Sequence, residues 1–238
     1  MILLAAMTIG VIVVACSAGD DSPPEASNGT AVLGEETIEP LPTEPLLQQP
    51  PGLRGFAYPI EGACLPANDD LMPGADRSYR DGIHEGIDFY DSDNCVAMGS
   101  GTEIVAAKAG TIVRVDLEYE ALSPEEVEEL LALVESGQGT DPVVKDKFRG
   151  LQIWVDHDSR IVTRYAHLSS VAENIVVGTL VEQGQVLGIM GETGVPEAVD
   201  APGSQVHLHF EIRVWGGYIG QGRPTSEVRN LYRTAFSP

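Results

Sequence analysis

His207-Leu208-His209, followed by Phe210-Glu211-Ile212, is the stretch whose residue types and spacing point most directly to chemistry. Strand side chains alternate between two faces. His207, His209, Glu211 and Arg213 therefore share one face, while Val206, Leu208, Phe210, Ile212 and Val214 share the other. Such a strand turns an apolar side to a core and two imidazoles to an open side. Two histidines at this spacing can both reach one metal ion, or one can bind it while its neighbour handles protons. A second stretch, His84-Glu85-Gly86-Ile87-Asp88, sets an imidazole and a carboxylate on one face of an extended segment, with Tyr90 beyond them. The intervening glycine leaves room for an ion. Zinc accepts both ligand types and needs only three protein ligands in a catalytic site. A third stretch, Tyr165-Ala166-His167-Leu168, closes a run of strand formers and puts Tyr165 and His167 on one strand face. A cleft histidine outside a ligand set is a candidate proton carrier.

Taken in order, His84-x-Gly86-x-Asp88, Tyr165-x-His167-Leu168 and His207-x-His209 resemble the lysostaphin-type (LytM-like) zinc metallopeptidases. Glycine punctuation at Gly184-Gln185-Val186-Leu187-Gly188 and at Gly191-Glu192-Thr193-Gly194 is similar as well, and the resemblance spans roughly residues 56 to 215. It implies zinc held by His84, Asp88 and His209, with His167 and His207 as the catalytic histidines. It also implies hydrolysis of peptide bonds in peptidoglycan, in a cross-bridge or a stem peptide. Non-catalytic relatives, which serve as wall-binding or amidase-activating modules, lose some of these residues. This chain carries all five. No His-Glu-x-x-His motif supplies a glutamate base, so histidines must take that role. The fifth histidine, His157, ends the apolar face of Leu151, Ile153 and Val155 and reads as structural.

The elements that must position these residues are mainly β. Residues 101–106 and 110–115 form two short strands with turn residues between them, and residues 178–181 and 184–188 echo the pattern. By resemblance, the strands build an antiparallel sheet crossed by a groove with the metal on its floor. One segment breaks the pattern. Ser123-Pro124-Glu125-Glu126 is a capping box with proline at the first helical position, and Val127, Leu130, Leu131 and Val134 follow at helical spacing up to Gly137. This gives one short α-helix in an insertion at about residues 116–149. Residues 195–206 form a longer connection than the family usually has before its His-x-His. Both insertions are expected to line the groove walls. A C-terminal helix is expected from Val228, Leu231, Tyr232 and Phe236.

The start of the chain bears on location. An apolar run to Ala15 precedes Cys16 and is shorter than the about 20 residues a membrane-spanning helix needs. It has the length of a signal-peptide core. Val13-Val14-Ala15-Cys16 resembles a bacterial lipobox, which implies an exported protein, lipid-anchored at Cys16 on the outer face of a bacterial cell membrane or located in the cell wall. No Lys or Arg precedes the run. Residues 17–55 are rich in proline and acid without any burying period, and read as an extended tether. Residues 56–238 are the expected catalytic domain. Within it Cys64 and Cys95 are an even pair, and in an exported domain they are expected to form a disulfide. The formal charge of −22 excludes a nucleic-acid binder, which needs a basic face.

Overall fold

The computed structural model describes residues 52–80, 82–92 and 94–238. The leader, Cys16 and all but the last residues of the tether lie outside the described residues. The alternating stretch read above becomes the hub of the fold, strand β11 (Leu208–Val214) in chain order. Before it come β1 (Asp76–Arg77), β2 (Gly82–Ile83), β3 (Ile87–Phe89), β4 (Glu103–Val105) and β5 (Gly110–Val115). Then follow β6 (Ile153–Asp156), β7 (Ile161–Ala166), β8 (Leu168–Val171), β9 (Leu180–Val181) and β10 (Val186–Met190). After the hub comes β12 (Gly217–Tyr218). The main sheet runs β12-β11-β7-β6-β5-β9, all antiparallel, and β3 pairs with the beginning of β11. A smaller sheet, β4-β10-β8, carries the other halves of the two Gly-turn hairpins. The repeated hairpins thus pair with each other, β4 with β10 and β5 with β9.

Alternation decides which side of the hub strand is core. Leu208, Phe210 and Ile212 are wholly buried, together with Ile112, Ile153, Val155 and Tyr165 from the neighbouring strands. Each such side chain contributes about 1.5–3 kcal/mol on burial, so this apolar face holds the sheet that carries the histidines. Among the described residues, packing begins at Leu53 and Phe56. It ends with α4 (Thr225–Ala235), which buries Val228, Tyr232 and Ala235, the first two among the positions expected from helical spacing. Among the described residues no helix is long and apolar enough to cross a membrane.

The segment between β5 and β6 contains two helices. In α1 (Pro124–Leu133) the Ser123 hydroxyl accepts from the Glu126 N–H and the Glu126 carboxylate from the Ser123 N–H, completing the capping box. Beyond a turn where Gly137 adopts φ 82°, α2 (Pro142–Arg149) starts at Asp141, whose carboxylate accepts from the Val143 N–H at 2.8 Å. Only the first helix is legible as a periodic run. The second is two turns long, and its start signal, an acidic cap followed by proline, has only Val144 and Phe148 to bury behind it. A small satellite core of Leu122, Leu130, Val134, Val144 and Phe148 joins the pair. A further short helix, α3 (Pro196–Asp200), lies in the long connection before the hub strand.

Cys64 and Cys95 form a disulfide with Cα atoms 5.6 Å apart. It closes a sequence separation of 31 residues that contains both His84 and Asp88. By loop-closure entropy, a cross-link of this span stabilises the fold by about 3–4 kcal/mol.

Candidate metal centre

Antiparallel register brings the separated motifs together. On the hub strand His209 lies opposite Asp88 of β3 on one side and opposite Ala166 of β7 on the other. His167 follows Ala166, and His207 bridges to Gly191. His84 is not in the same strand as Asp88. It follows β2, and a His84–Gly86 linker that bends at Gly86 leads into β3. Gly86 serves a purpose other than leaving space for an ion. A Cβ there would lie 2.8 Å from the His209 ring and 2.6 Å from the Phe210 carbonyl, so the glycine lets that imidazole pack against the backbone.

Three ligand-type atoms converge. His84 Nε2 and His209 Nδ1 are 3.1 Å apart, and Asp88 Oδ1 lies 2.9 Å from the first and 2.8 Å from the second. In a tetrahedron of ligands around zinc these edges would be about 3.3 Å, given bonds of about 2.0–2.1 Å. Hydrogen bonds fix the tautomers. His84 Nδ1–H donates to the Met72 carbonyl at 3.1 Å, and His209 Nε2–H donates to the Glu211 carboxylate at 3.2 Å. Both inward nitrogens therefore present lone pairs to a carboxylate oxygen. With the outer N–H groups so committed, the three inward atoms are buried acceptors, and a cation among them, a metal ion or a proton on His209, relieves their repulsion. The residues fit a divalent metal ion, each outer N–H being held by an oxygen as metal-binding histidines usually are.

Charge around the cluster has the same sense. Burial pushes the His84 imidazole down to about 4, against the pull of Asp88. Burial would raise the Asp88 carboxyl, but the charges and hydrogen bonds of His84 and His209 overcome it and hold the group well below its ordinary value. His209 is the exception. Burial lowers it, yet the hydrogen bonds to Asp88 and Glu211 prevail and raise its proton affinity. Asp88 is further held by Arg77 of β1, whose Nη2 donates to Oδ2 at 3.1 Å and leaves Oδ1 facing the histidines.

His167 and His207 flank the cluster without joining it. Their ring centroids are 4.5 Å apart, and His207 Nε2 is 3.9 Å from Asp88 Oδ1. His167 Nδ1–H donates to the Thr193 carbonyl at 2.8 Å and His207 Nδ1–H to the Gln205 carbonyl at 2.6 Å. Each therefore offers an unprotonated Nε2. Burial lowers both imidazoles, His167 well below the ordinary value, so both are neutral proton acceptors at neutral pH. Tyr90 stacks on the His207 ring at 4.3 Å and fixes its plane. The expected sharing of a strand face by Tyr165 and His167 does not hold. His167 has φ 62°, which breaks the alternation at the end of β7. Tyr165 stays in the core, its hydroxyl accepting from the Ala107 N–H at 2.8 Å, while His167 lines the cleft.

All five residues border one cleft of about 710 Å³. Val127, Leu131, Val134 and Phe148 of the first insertion form an apolar wall, and Pro196, Glu197 and Asp200 of the second face it. His157 is elsewhere, between the Ala109 carbonyl and the Thr163 hydroxyl.

Several contributors have little local signal in the sequence. Glu211 is wholly buried and is held by Arg149 Nε at 2.9 Å, Arg213 Nη1 at 2.6 Å and Arg164 Nη1 at 3.5 Å. A carboxylate buried this deeply is tolerable only with such partners. Its position two residues after His209 on the same strand face was the one available signal. Tyr90 gave its place two residues beyond Asp88 on the same face, while Arg77 and Arg149 gave none beyond their residue types.

The fold is mainly antiparallel β, and its cleft floor carries two histidines and a carboxylate that could hold a metal ion, with two further imidazoles beside them. Residues 133–224 match the sequence model of Peptidase family M23. No curated protein matches the chain. Solved structures similar to it include a zinc-containing peptidase from Vibrio cholerae, at 20% identity and TM-score 0.43, covering 70% of this chain and 39% of that one. The catalytic domain of the prophage-encoded M23 protein EnpA from Enterococcus faecalis is 17% identical, with TM-score 0.42 and coverage of 69% and 93%. The catalytic domain of the antimicrobial peptidase lysostaphin from Staphylococcus simulans is 23% identical, with TM-score 0.35 and coverage of 67% and 77%.

Proposed function

We propose that this chain is a zinc-dependent endopeptidase that hydrolyses peptide bonds in peptidoglycan and so remodels the cell wall. The observation that carries the reading is the triangle of His84 Nε2, Asp88 Oδ1 and His209 Nδ1, buried below two imidazoles with unprotonated Nε2 atoms. In this reading His84, Asp88 and His209 hold the ion. When bound, zinc supplies Lewis-acid polarisation and makes a water-derived nucleophile accessible at neutral pH. One of His167 and His207 takes the nucleophile's proton on Nε2 and delivers that proton to the leaving amine, while the other would donate to the oxyanion only after gaining a proton of its own. The Thr193 and Gln205 carbonyls hold both rings in the tautomer this needs. Arg77 keeps Asp88 oriented through Oδ2.

The purified chain incubated with isolated sacculi should release soluble muropeptides with newly cleaved peptide bonds, and a chelator should stop the release. Retention of zinc and binding to sacculi without any release would replace the peptidase with a wall-binding or amidase-activating module. Cleavage of free peptides but not of sacculi would point to a non-wall substrate.

The same reading places the protein outside the cytoplasm, tethered by lipid at Cys16. The Cys64–Cys95 disulfide supports an oxidising compartment, and two acyl chains at one cysteine give stable anchoring where one does not. Mass spectrometry of protein extracted from membranes should find a mature chain starting at a lipid-modified Cys16. A mature chain that still contains residues 1–15 would rule the anchor out.

A further inference from the structure

The ion network behind the cleft contains a residue that touches three parts of the site's support. Arg149 ends α2, and its side chain is 12% exposed. Its Nε donates to Glu211 Oε1 at 2.9 Å, the same oxygen that accepts from His209 Nε2. Its Nη2 donates to Glu85 Oε2 at 2.8 Å, and Glu85 directly follows His84. Its own carbonyl accepts the His167 N–H at 2.9 Å. The next residue continues the connection. Gly150 adopts φ 63°, and a Cβ there would lie 2.2 Å from the Thr193 carbonyl oxygen that orients His167. One turn earlier on the helix, Asp146 is clamped by Arg114 of β5 through two bonds of 2.8 Å.

Glu211 has two other arginines, and Glu85 also pairs with Lys145 and Arg213. Arg213 too bridges the carboxylates, but from the hub strand itself. Arg149 does so from the insertion, and it alone of the three arginines also holds the His167 backbone among the hydrogen bonds described. A planar guanidinium can hold two carboxylates at fixed angles, which a lysine cannot. Groups that hold metal-binding histidines from behind typically change metal affinity 10- to 100-fold when removed.

We propose that Arg149 is a positioning residue through which the helical insertion sets the geometry and affinity of the metal cluster. The insertion then does more than wall the cleft, because its last helical residue orients Glu211 behind His209 and Glu85 beside His84. This inference rests on the reading of His84, Asp88 and His209 as metal ligands.

The test is zinc affinity of the full chain, measured by chelator competition, with the absorption spectrum of the cobalt(II)-loaded protein as a report on ligand geometry. Arg149→Met should weaken zinc binding roughly 10- to 100-fold and alter the cobalt spectrum. Arg114→Met loosens the outer clamp of the same helix without touching Glu211, and should leave affinity and spectrum as in the wild type. Wild-type affinity and spectrum in Arg149→Met, or equal losses in both variants, would overturn the proposal. Should Arg149→Met fail to fold, Arg149→Lys decides instead. It keeps the charge but not the two-carboxylate fork, so a smaller loss of affinity is expected, and none would reject the role. A wild-type chain that binds no zinc removes the metal reading and this inference with it. Wild-type binding unaltered by either Arg149 variant removes the inference alone.

Discussion

His209→Ala is expected to abolish the binding of the one zinc ion per chain that the wild type is expected to hold. His209 contributes Nδ1 to the triangle with His84 Nε2 and Asp88 Oδ1. Its lone pair points inward because Nε2–H is committed to Glu211. Alanine leaves two protein ligands where zinc sites generally use three or four. It also leaves Glu211 without one of its hydrogen-bond donors in a wholly buried position. Elemental analysis after dialysis should show near-stoichiometric zinc in the wild type and at most a small residue in the variant. The matched control is His157→Ala, which removes a histidine bonded to Ala109 and Thr163 away from the cleft and should keep its zinc. A second readout is thermal unfolding. Ligand at 1,000 times its dissociation constant stabilises a fold by about 4 kcal/mol, so added zinc should raise the midpoint of the wild type and not that of His209→Ala. Equal zinc in His209→Ala and wild type would remove His209 from the ligand set.

Much of this site was legible because strand chemistry is local. The alternation of residues 206–214 fixes which side chains share a face, and the structure keeps Leu208, Phe210 and Ile212 in the core and His207, His209 and Glu211 opposite them. The capping box at Ser123 was legible for the same reason, since its bonds join residues three apart. What stayed hidden depends on contacts between distant residues or on unusual backbone. His167 enters the cleft only because a non-glycine residue adopts φ 62°, which nothing in Tyr-Ala-His-Leu announces. Arg149 finds Glu85 and Glu211 across 64 and 62 residues, and no periodicity links them. Gly86 was legible as permissive but not as the seat of the His209 ring, because the approaching atoms come from another strand. The family resemblance supplied the pairing of motifs that local reasoning leaves open.

Replacing His167 or His207 with alanine should separate proton transfer from metal binding. Neither imidazole is within the triangle of ligand atoms, and each is anchored through Nδ1–H to a backbone carbonyl, so zinc content should stay at the wild-type level in both variants. Turnover of a wall-peptide substrate should fall by about 10²- to 10⁴-fold in each, the usual contribution of a positioned acid or base. The loss should fall on kcat with KM little changed, since the groups act on charge that develops only in the transition state. The two rings lie 4.5 Å apart and would serve one proton path, so the double variant should be little slower than the worse single one. Tyr90→Leu offers a graded check, because it removes the ring stacked on His207 while keeping the imidazole and its carbonyl anchor. A loss smaller than that of His207→Ala is expected there. Near-normal turnover in His207→Ala with zinc retained would take that residue out of the proton path. If both single variants keep normal turnover while His209→Ala loses it with its zinc, the metal alone drives hydrolysis and the two flanking imidazoles are structural.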